Sequence, residues 1–243
     1  MISITLFRFP SKQRLFTFLT VISLLAFLIL MLYSARHVTV SSSAYPSKAM
    51  PRIVIDAGHG GVDGGAVSGD VLEKDINLSV SKYMQDLLKM FGYETEMTRT
   101  NDTFLKNEGD SIKAKKLHDM QERLKRYNAN KNNVVISIHQ NKFSDVKSKG
   151  TQIFYSPNHP RSKILADCIK HSVKSLLQPD NERESKVAGN NIYLLKNTVN
   201  PAVIVECGFI SNNEERKMLL TPDYQKQMAL AITTGLLDYQ NTY

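Results

Sequence analysis

From residue 52 onward, short β-branched runs alternate with stretches of helical period, and this alternation restricts the chain to an α/β architecture. Residues 52–56 (RIVID) form the first run, and the glycines of AGHGG end it in a loop where backbone can approach closely. Ile76, Val80, Tyr83, Met84, Leu87, Leu88 and Phe91 then recur at three- and four-residue spacing, after Glu73 and before the stop at Gly92. Residues 93–99 (YETEMTR) alternate as a strand, and a polar helix is expected over 111–128. Further strands are expected over 134–138 (VVISI), 151–155, 192–195 and 202–205 (AVIV), and further helices over 162–177 and 222–239. Runs as apolar as VVISI and AVIV suit strands covered on both faces, so a sheet flanked by helices on each side is expected.

In such sheets the functional rim lies beyond the carboxyl ends of the strands. His59 follows RIVIDAG, His139 follows VVISI directly, Glu206 follows AVIV, and Glu73 stands at an expected helix start. Catalytic zinc takes three protein ligands from His and Asp/Glu and keeps a fourth position for water. His59, Glu73 and His139 are a candidate set, whose single carboxylate leaves an ion with net positive charge. Glu206 is the candidate catalytic proton carrier, since a carboxylate between AVIV and CGFI is costly to bury without a partner. Either Asp56 or Asp63 could orient an imidazole N–H.

Each of these residues also has a plainer explanation. A strand-end histidine can be an ordinary satisfied polar group, and Glu73 can be first-turn charge favoured by the helix dipole. The three ligands lack the tight spacing of an HExxH motif, so spacing alone leaves both readings open. His118 and His171 lie on expected helices among lysines and read as solvated, and His159 in SPNHP reads as loop. No GxSxG elbow occurs, neither cysteine has the setting of a nucleophile, and GHGGVDGG lacks the GK[ST] ending of a phosphate loop.

Residues 15–33 (LFTFLTVISLLAFLILMLY) carry no charge and no proline. At 1.5 Å per residue the run spans roughly 28 Å, enough for a bilayer core. Arg8, Lys12 and Arg14 precede it and would hold the N-terminus in the cytoplasm. The run exceeds the apolar core of a cleaved leader, so a retained membrane anchor is expected, with the remainder outside the cytoplasm. Three segments follow: 1–37 as basic flank and anchor, 38–51 as a Ser- and Pro-containing linker, and 52–243 as one catalytic domain.

The formal charge of +8 overstates the basicity of that domain, because Arg8, Lys12, Arg14 and Arg36 all flank the apolar run. Setting them aside leaves about +4, too mild for a dedicated nucleic-acid binder but suited to an anionic polymer. Absence of Trp also argues against a base-stacking surface. Cys168 and Cys207 sit in apolar surroundings and read as small buried hydrophobes rather than a disulfide.

The segments VIDAGHGGVDGGA, LEKDINL, TRTND, SIHQN and PAVIVECGFISN, in this order, resemble the zinc-dependent N-acetylmuramoyl-L-alanine amidases of bacterial cell-wall metabolism. The resemblance covers the chain from Arg52 onward. It implies a single α/β domain with a mixed, mostly parallel sheet of about six strands. It also implies one zinc ion on His59, Glu73 and His139, catalysis by Glu206, and hydrolysis of the amide joining the lactyl group of N-acetylmuramic acid to L-alanine. Peptidoglycan is the implied partner, alongside the membrane through the N-terminal segment; an accessory activator protein is compatible with the sequence. LEKDI beside DGGAV looks most like the germination-specific subgroup, which acts on spore cortex so that muramic-δ-lactam can form. A vegetative wall amidase, a zinc peptidase of the stem peptide and a non-catalytic wall binder are the alternatives. SIHQN departs from the family pattern at Gln140, where Ala or Leu is usual, which is expected to touch substrate fit. Some family members insert an autoinhibitory helix after this strand, whereas only residues 142–149 follow here. Arg183 and Lys186 meet either stem-peptide carboxylates or solvent.

Overall fold

A computed structural model of the chain describes residues 11–37, 50–106 and 108–242. It separates into two compact units, Met1–Lys48 and Ala49–Tyr243. The first contains α1 (Ser11–His37), whose described side chains from Leu15 to Met31 are exposed. Among the described residues no helix is long and apolar enough to cross a membrane, and the run expected to do so extends past the described side chains. Arg8 and nearly all of the linker expected over 38–51 lie outside the described residues.

The second unit is built on a six-stranded sheet of order β4-β1-β5-β8-β6-β7. Its strands are β1 (Arg52–Ala57), β4 (Thr95–Met97), β5 (Asn133–Asn141), β6 (Gln152–Tyr155), β7 (Lys186–Val187) and β8 (Ala202–Phe209). All neighbours are parallel except β6 and β8, so the sheet is mixed and mostly parallel as expected. A separate hairpin, β2 (Val67–Ser68) with β3 (Val71–Leu72), turns at Gly69, whose φ of 60° suits a tight turn.

Helices cover both faces. On one side lie α2 (Glu73–Met90), α4 (Arg161–Leu176) and α7 (Pro222–Thr242), over Ile53, Ile55, Ile136, Ile138, Val203 and Val205. On the other lie α3 (Ile112–Tyr127) and a short α5 (Tyr193–Asn197), over Val54, Val135, Ala202 and Ile204. Strict alternation along the strands therefore sends Asp56, Ser137, His139 and Glu206 to the α3 side. A one-residue slip would turn Asp56 away from Arg123 and Tyr127 and bury its carboxylate among the α2-side isoleucines. The cost of burying that carboxylate without partners thus fixes which way the strand-end groups point.

Helix ends follow local chemistry. Ser111 Oγ accepts from Ala114 N at 3.2 Å and caps α3. Gly92, with φ of 80°, closes α2 as the Tyr93 N–H reaches Leu88 O. Residues 192–195 do not form the expected strand; most of them enter α5, with Leu194 and Leu195 buried against the α3-side core. A short apolar run suits a strand and a buried helical turn equally, and the sixth strand comes instead from the exposed Lys186–Val187. An additional α6 (Asn213–Leu219) is capped by Asn212 Oδ1, which accepts from the N–H groups of Glu214 and Glu215. Both cysteines are free, Cys207 in the core and Cys168 half-buried.

Candidate metal centre

His59 sits on the loop after β1 with φ of 61°, a left-handed conformation that costs a non-glycine residue about 1–3 kcal/mol. Two buried guanidinium groups hold that loop. Arg99 donates to Ala57 O and Gly58 O, both at 2.9 Å, and Arg123 donates to Ala57 O at 2.9 Å and His59 O at 2.6 Å. Of the two aspartates proposed as orienting acceptors, Asp63 takes the role: its Oδ2 lies 2.8 Å from His59 Nδ1. That contact turns His59 Nε2 inward, 3.3 Å from Glu73 Oε1. Lys116 Nζ holds the other Asp63 oxygen at 2.7 Å. Burial opposes ionisation of Asp63, but the bonds from His59 and Lys116 outweigh it and keep its carboxyl well below the usual range.

Glu73 opens α2 and is buried. Its Oε2 accepts from Ala66 N at 2.7 Å, and its Oε1 accepts from Gln140 N at 3.0 Å and lies 2.8 Å from His139 Nδ1. Burial again works against its charge, and the two imidazoles prevail, holding the carboxyl far below its ordinary value. The same carboxylates act in reverse on His59: burial disfavours the charged ring, yet bonds to Asp63 and Glu73 push it up to about 9. An ion binding there would have to displace that proton, so affinity should weaken as pH falls.

His139 lies near the end of β5, its ring centroid 4.9 Å from that of His59 in an edge-on arrangement. The ligand atoms of His59, Glu73 and His139 lie within 4.8 Å of one another, so this group could hold a metal ion. Two imidazoles and one carboxylate form a donor set of the kind catalytic zinc takes. Glu206 is the strand-register partner of His139, which brings it beside the cluster on the same face. Its Oε2 is buried with no hydrogen-bond partner among the described residues. Burial, aided by the Glu73 charge and opposed by both imidazoles, pushes the Glu206 carboxyl up to about 7. A cavity of about 320 Å³ opens on the α3 side, lined by His59, His139, Lys116, Tyr193 and Ile204 among others.

Glycines make room for this cluster. A Cβ at Gly65, where φ is 70°, would stand 2.5 Å from Glu73 Oε2 and 2.6 Å from His59 Cδ2. Gly65→Ala is therefore expected to weaken any metal binding by this group at least about tenfold in a chelator competition. Gly69→Ala is the control, because its Cβ meets nothing within 4 Å and pays only for a left-handed backbone, about 1 kcal/mol.

Asp56, the other candidate orienter, makes no hydrogen bond to either imidazole. Its buried carboxylate accepts from Arg123 Nη1, Thr98 Oγ1 (2.7 Å), Tyr127 OH (2.5 Å) and Ser137 Oγ (2.6 Å). Sequence reasoning assigned no role to Arg99, Arg123 or the Lys74–Asp102 pair. Lys74 Nζ reaches Asp102 at 2.6 Å and Gly61 O at 2.7 Å, bracing the loop from α2. The available signal was Asp119, Arg123 and Tyr127 at four-residue spacing, a polar stripe that α3 turns inward.

Gln140 departs from its expected role in substrate fit: it is buried on the α2 side of the sheet and bonds Asn77. The strand period sends neighbouring side chains to opposite faces, so facing His139 toward α3 turns Gln140 away. Arg183 stacks 4.7 Å above the Phe209 ring and donates to Lys149 O, and Lys186 is exposed on the sheet edge. Neither lines the cavity that holds the histidines. His118, His159 and His171 lie outside the metal-ligating group.

Residues 53–238 match a family model described as N-acetylmuramoyl-L-alanine amidase. The chain is 36% identical over 188 residues to the germination-specific N-acetylmuramoyl-L-alanine amidase of Bacillus subtilis, covering 77% of this chain and 78% of that one. It resembles the CwlD amidase of Clostridioides difficile, solved in complex with the GerS lipoprotein, with a TM-score of 0.76 and 35% identity over 79% of this chain and 100% of that one. The catalytic domain of the amidase CwlV from Bacillus (Paenibacillus) polymyxa var. colistinus matches with a TM-score of 0.64 and 30% identity over 80% of this chain and 100% of that one. The chain belongs to the N-acetylmuramoyl-L-alanine amidase family and is an amidase of peptidoglycan.

Proposed function

We propose that His59, Glu73 and His139 hold one zinc ion, and that Glu206 carries the proton in hydrolysis of the bond between the lactyl group of N-acetylmuramic acid and L-alanine. The observation that carries this reading is the convergence of the three ligand atoms with Glu206 in register beside His139. Zinc bound there would polarise the scissile carbonyl and acidify water. Glu206 would accept the proton of the attacking water and pass it to the alanine nitrogen. Burial raises the Glu206 carboxyl to about 7 in the metal-free protein, and a zinc ion beside it would lower that value and favour the base form that takes the proton of water. His59 remains 25% exposed at its side chain, which leaves the cluster open to substrate from the cavity.

The substrate is spore cortex in this reading, with stem-peptide removal preceding muramic-δ-lactam formation; likeness to the germination-specific amidase supports it. Residues 15–33 serve as a retained membrane anchor, and the domain acts outside the cytoplasm on the wall. An accessory lipoprotein partner is also proposed, by likeness to a relative solved with one.

Purified peptidoglycan digested by the full chain with zinc should release intact stem peptides beginning with L-alanine, seen by mass spectrometry. Fragments cut within the stem peptide would instead identify a peptidase, and zinc-loaded protein that releases nothing both alone and with an added lipoprotein partner would identify a binder. In the source cell, loss of the chain should remove muramic-δ-lactam from cortex muropeptides; unchanged lactam would sink the cortex assignment.

A further inference from the structure

Gln140 stands next to the candidate ligand His139, yet its side chain lies on the far face of the sheet, 3% exposed. There its Nε2 donates to Asn77 Oδ1 at 3.1 Å. Asn77 is fully buried, and its Nδ2 lies 3.2 Å from both Gly58 O and Glu73 Oε1. A carbonyl and an ionised carboxylate only accept, so the Asn77 atom facing them must be its amino nitrogen, and its oxygen must face away. That oxygen, sealed from water, needs a donor, and Gln140 supplies it. Without Gln140 that oxygen is stranded in the interior, and the amide has no second orientation to take. Turned over, it would set its own oxygen against the two acceptors it now serves.

We infer that Gln140 is a positioning residue for the metal centre. Through Asn77 it holds the Glu73 carboxylate and the Gly58 carbonyl in one arrangement, and its backbone N–H donates to the same Glu73 oxygen at 3.0 Å. This rests on the reading that Glu73 is a ligand. The Gln140 amide also meets the buried Cys207 thiol, and its Oε1 has no hydrogen-bond partner among the described residues.

The test uses the full-length chain as wild type, Gln140→Leu, Asn77→Ala and the double variant. Each is stripped of metal and titrated with zinc against a competing chelator, and the Tm of the metal-free protein is measured in parallel. Gln140→Leu should weaken zinc affinity about 10–100-fold, as removal of support behind a ligand does, alongside the fall in metal-free Tm that the stranded Asn77 oxygen brings. The double variant should bind zinc no more weakly than Asn77→Ala alone, because Gln140 acts through Asn77. Unchanged zinc affinity in Gln140→Leu, or a loss that adds fully to that of Asn77→Ala, overturns the inference; so does a fall confined to metal-free Tm. Gln140→Met, which keeps the length and removes the Nε2 donor, gives the same readout if the leucine variant does not fold. Wild-type protein that binds no zinc overturns the metal reading and this inference together, whereas equal binding by all four proteins overturns this inference alone.

Discussion

Glu206→Gln should lower turnover on peptidoglycan by at least about 10²-fold, the usual weight of a positioned proton carrier, while zinc stays bound at wild-type stoichiometry. The amide keeps the size of the side chain and removes its capacity to take a proton. Folding should not suffer. Burial raises the Glu206 carboxyl from 4.5 to about 7, so the folded state binds that proton more tightly than the unfolded chain does. The sign follows from linkage: a raised carboxyl takes stability away as the pH rises from 4.5 through about 7, and the full cost is present above that. Metal-free Glu206→Gln should therefore match or exceed the wild-type Tm at pH 8. Near wild-type turnover in this variant would remove Glu206 from the mechanism, and a large fall in Tm would recast it as structural.

The second large effect falls on stability. Asp56→Ala should destabilise the fold by about 3–5 kcal/mol, because it strands the Arg123 guanidinium in the interior without the charge at its tip. Asp119 remains 2.7 Å from Arg123 Nε, which keeps the loss from being larger. Burial opposes the Asp56 charge, but Arg123 and the hydroxyls of Ser137 and Tyr127 hold its carboxyl well below the usual range. A depressed carboxyl contributes stability at neutral pH that is lost as the pH falls below the ordinary value of 3.8. Urea unfolding of wild type and variant at pH 7 and pH 3 should show the gap shrinking in acid. A gap under about 1 kcal/mol at pH 7 would mean that the network is replaceable. Arg123 also holds the His59 and Ala57 carbonyls, so the same substitution should loosen the candidate metal loop.

Much of the fold was legible because it is written in local pattern. VVISI and AVIV marked the central strands, and the three- and four-residue apolar spacing after Glu73 marked α2. Where the pattern was short it misled: 192–195 reads equally well as strand or buried turn, and packing against the α3-side core decided for α5. The exposed Lys186–Val187 gave no apolar signal, and pairing with β6 alone makes it a strand.

The candidate site divides in the same way. Residue type and strand-end position were enough to nominate His59, Glu73, His139 and Glu206, since few side chains carry metal and proton chemistry and such sheets place it at one rim. Choosing between Asp56 and Asp63 was beyond the sequence, as both flank His59 and differ only in which way they face. Register decided it, turning Asp56 inward to Arg123 and leaving Asp63 on the loop. Gln140 was misread for the same reason, because its position beside His139 says nothing of the face it occupies until the strand is placed. Pattern along the chain determines which groups are available and which faces are apolar. Only the tertiary structure, through contacts between residues far apart in sequence, determines which groups meet, as with Arg123 under the His59 loop and Gln140 behind Glu73.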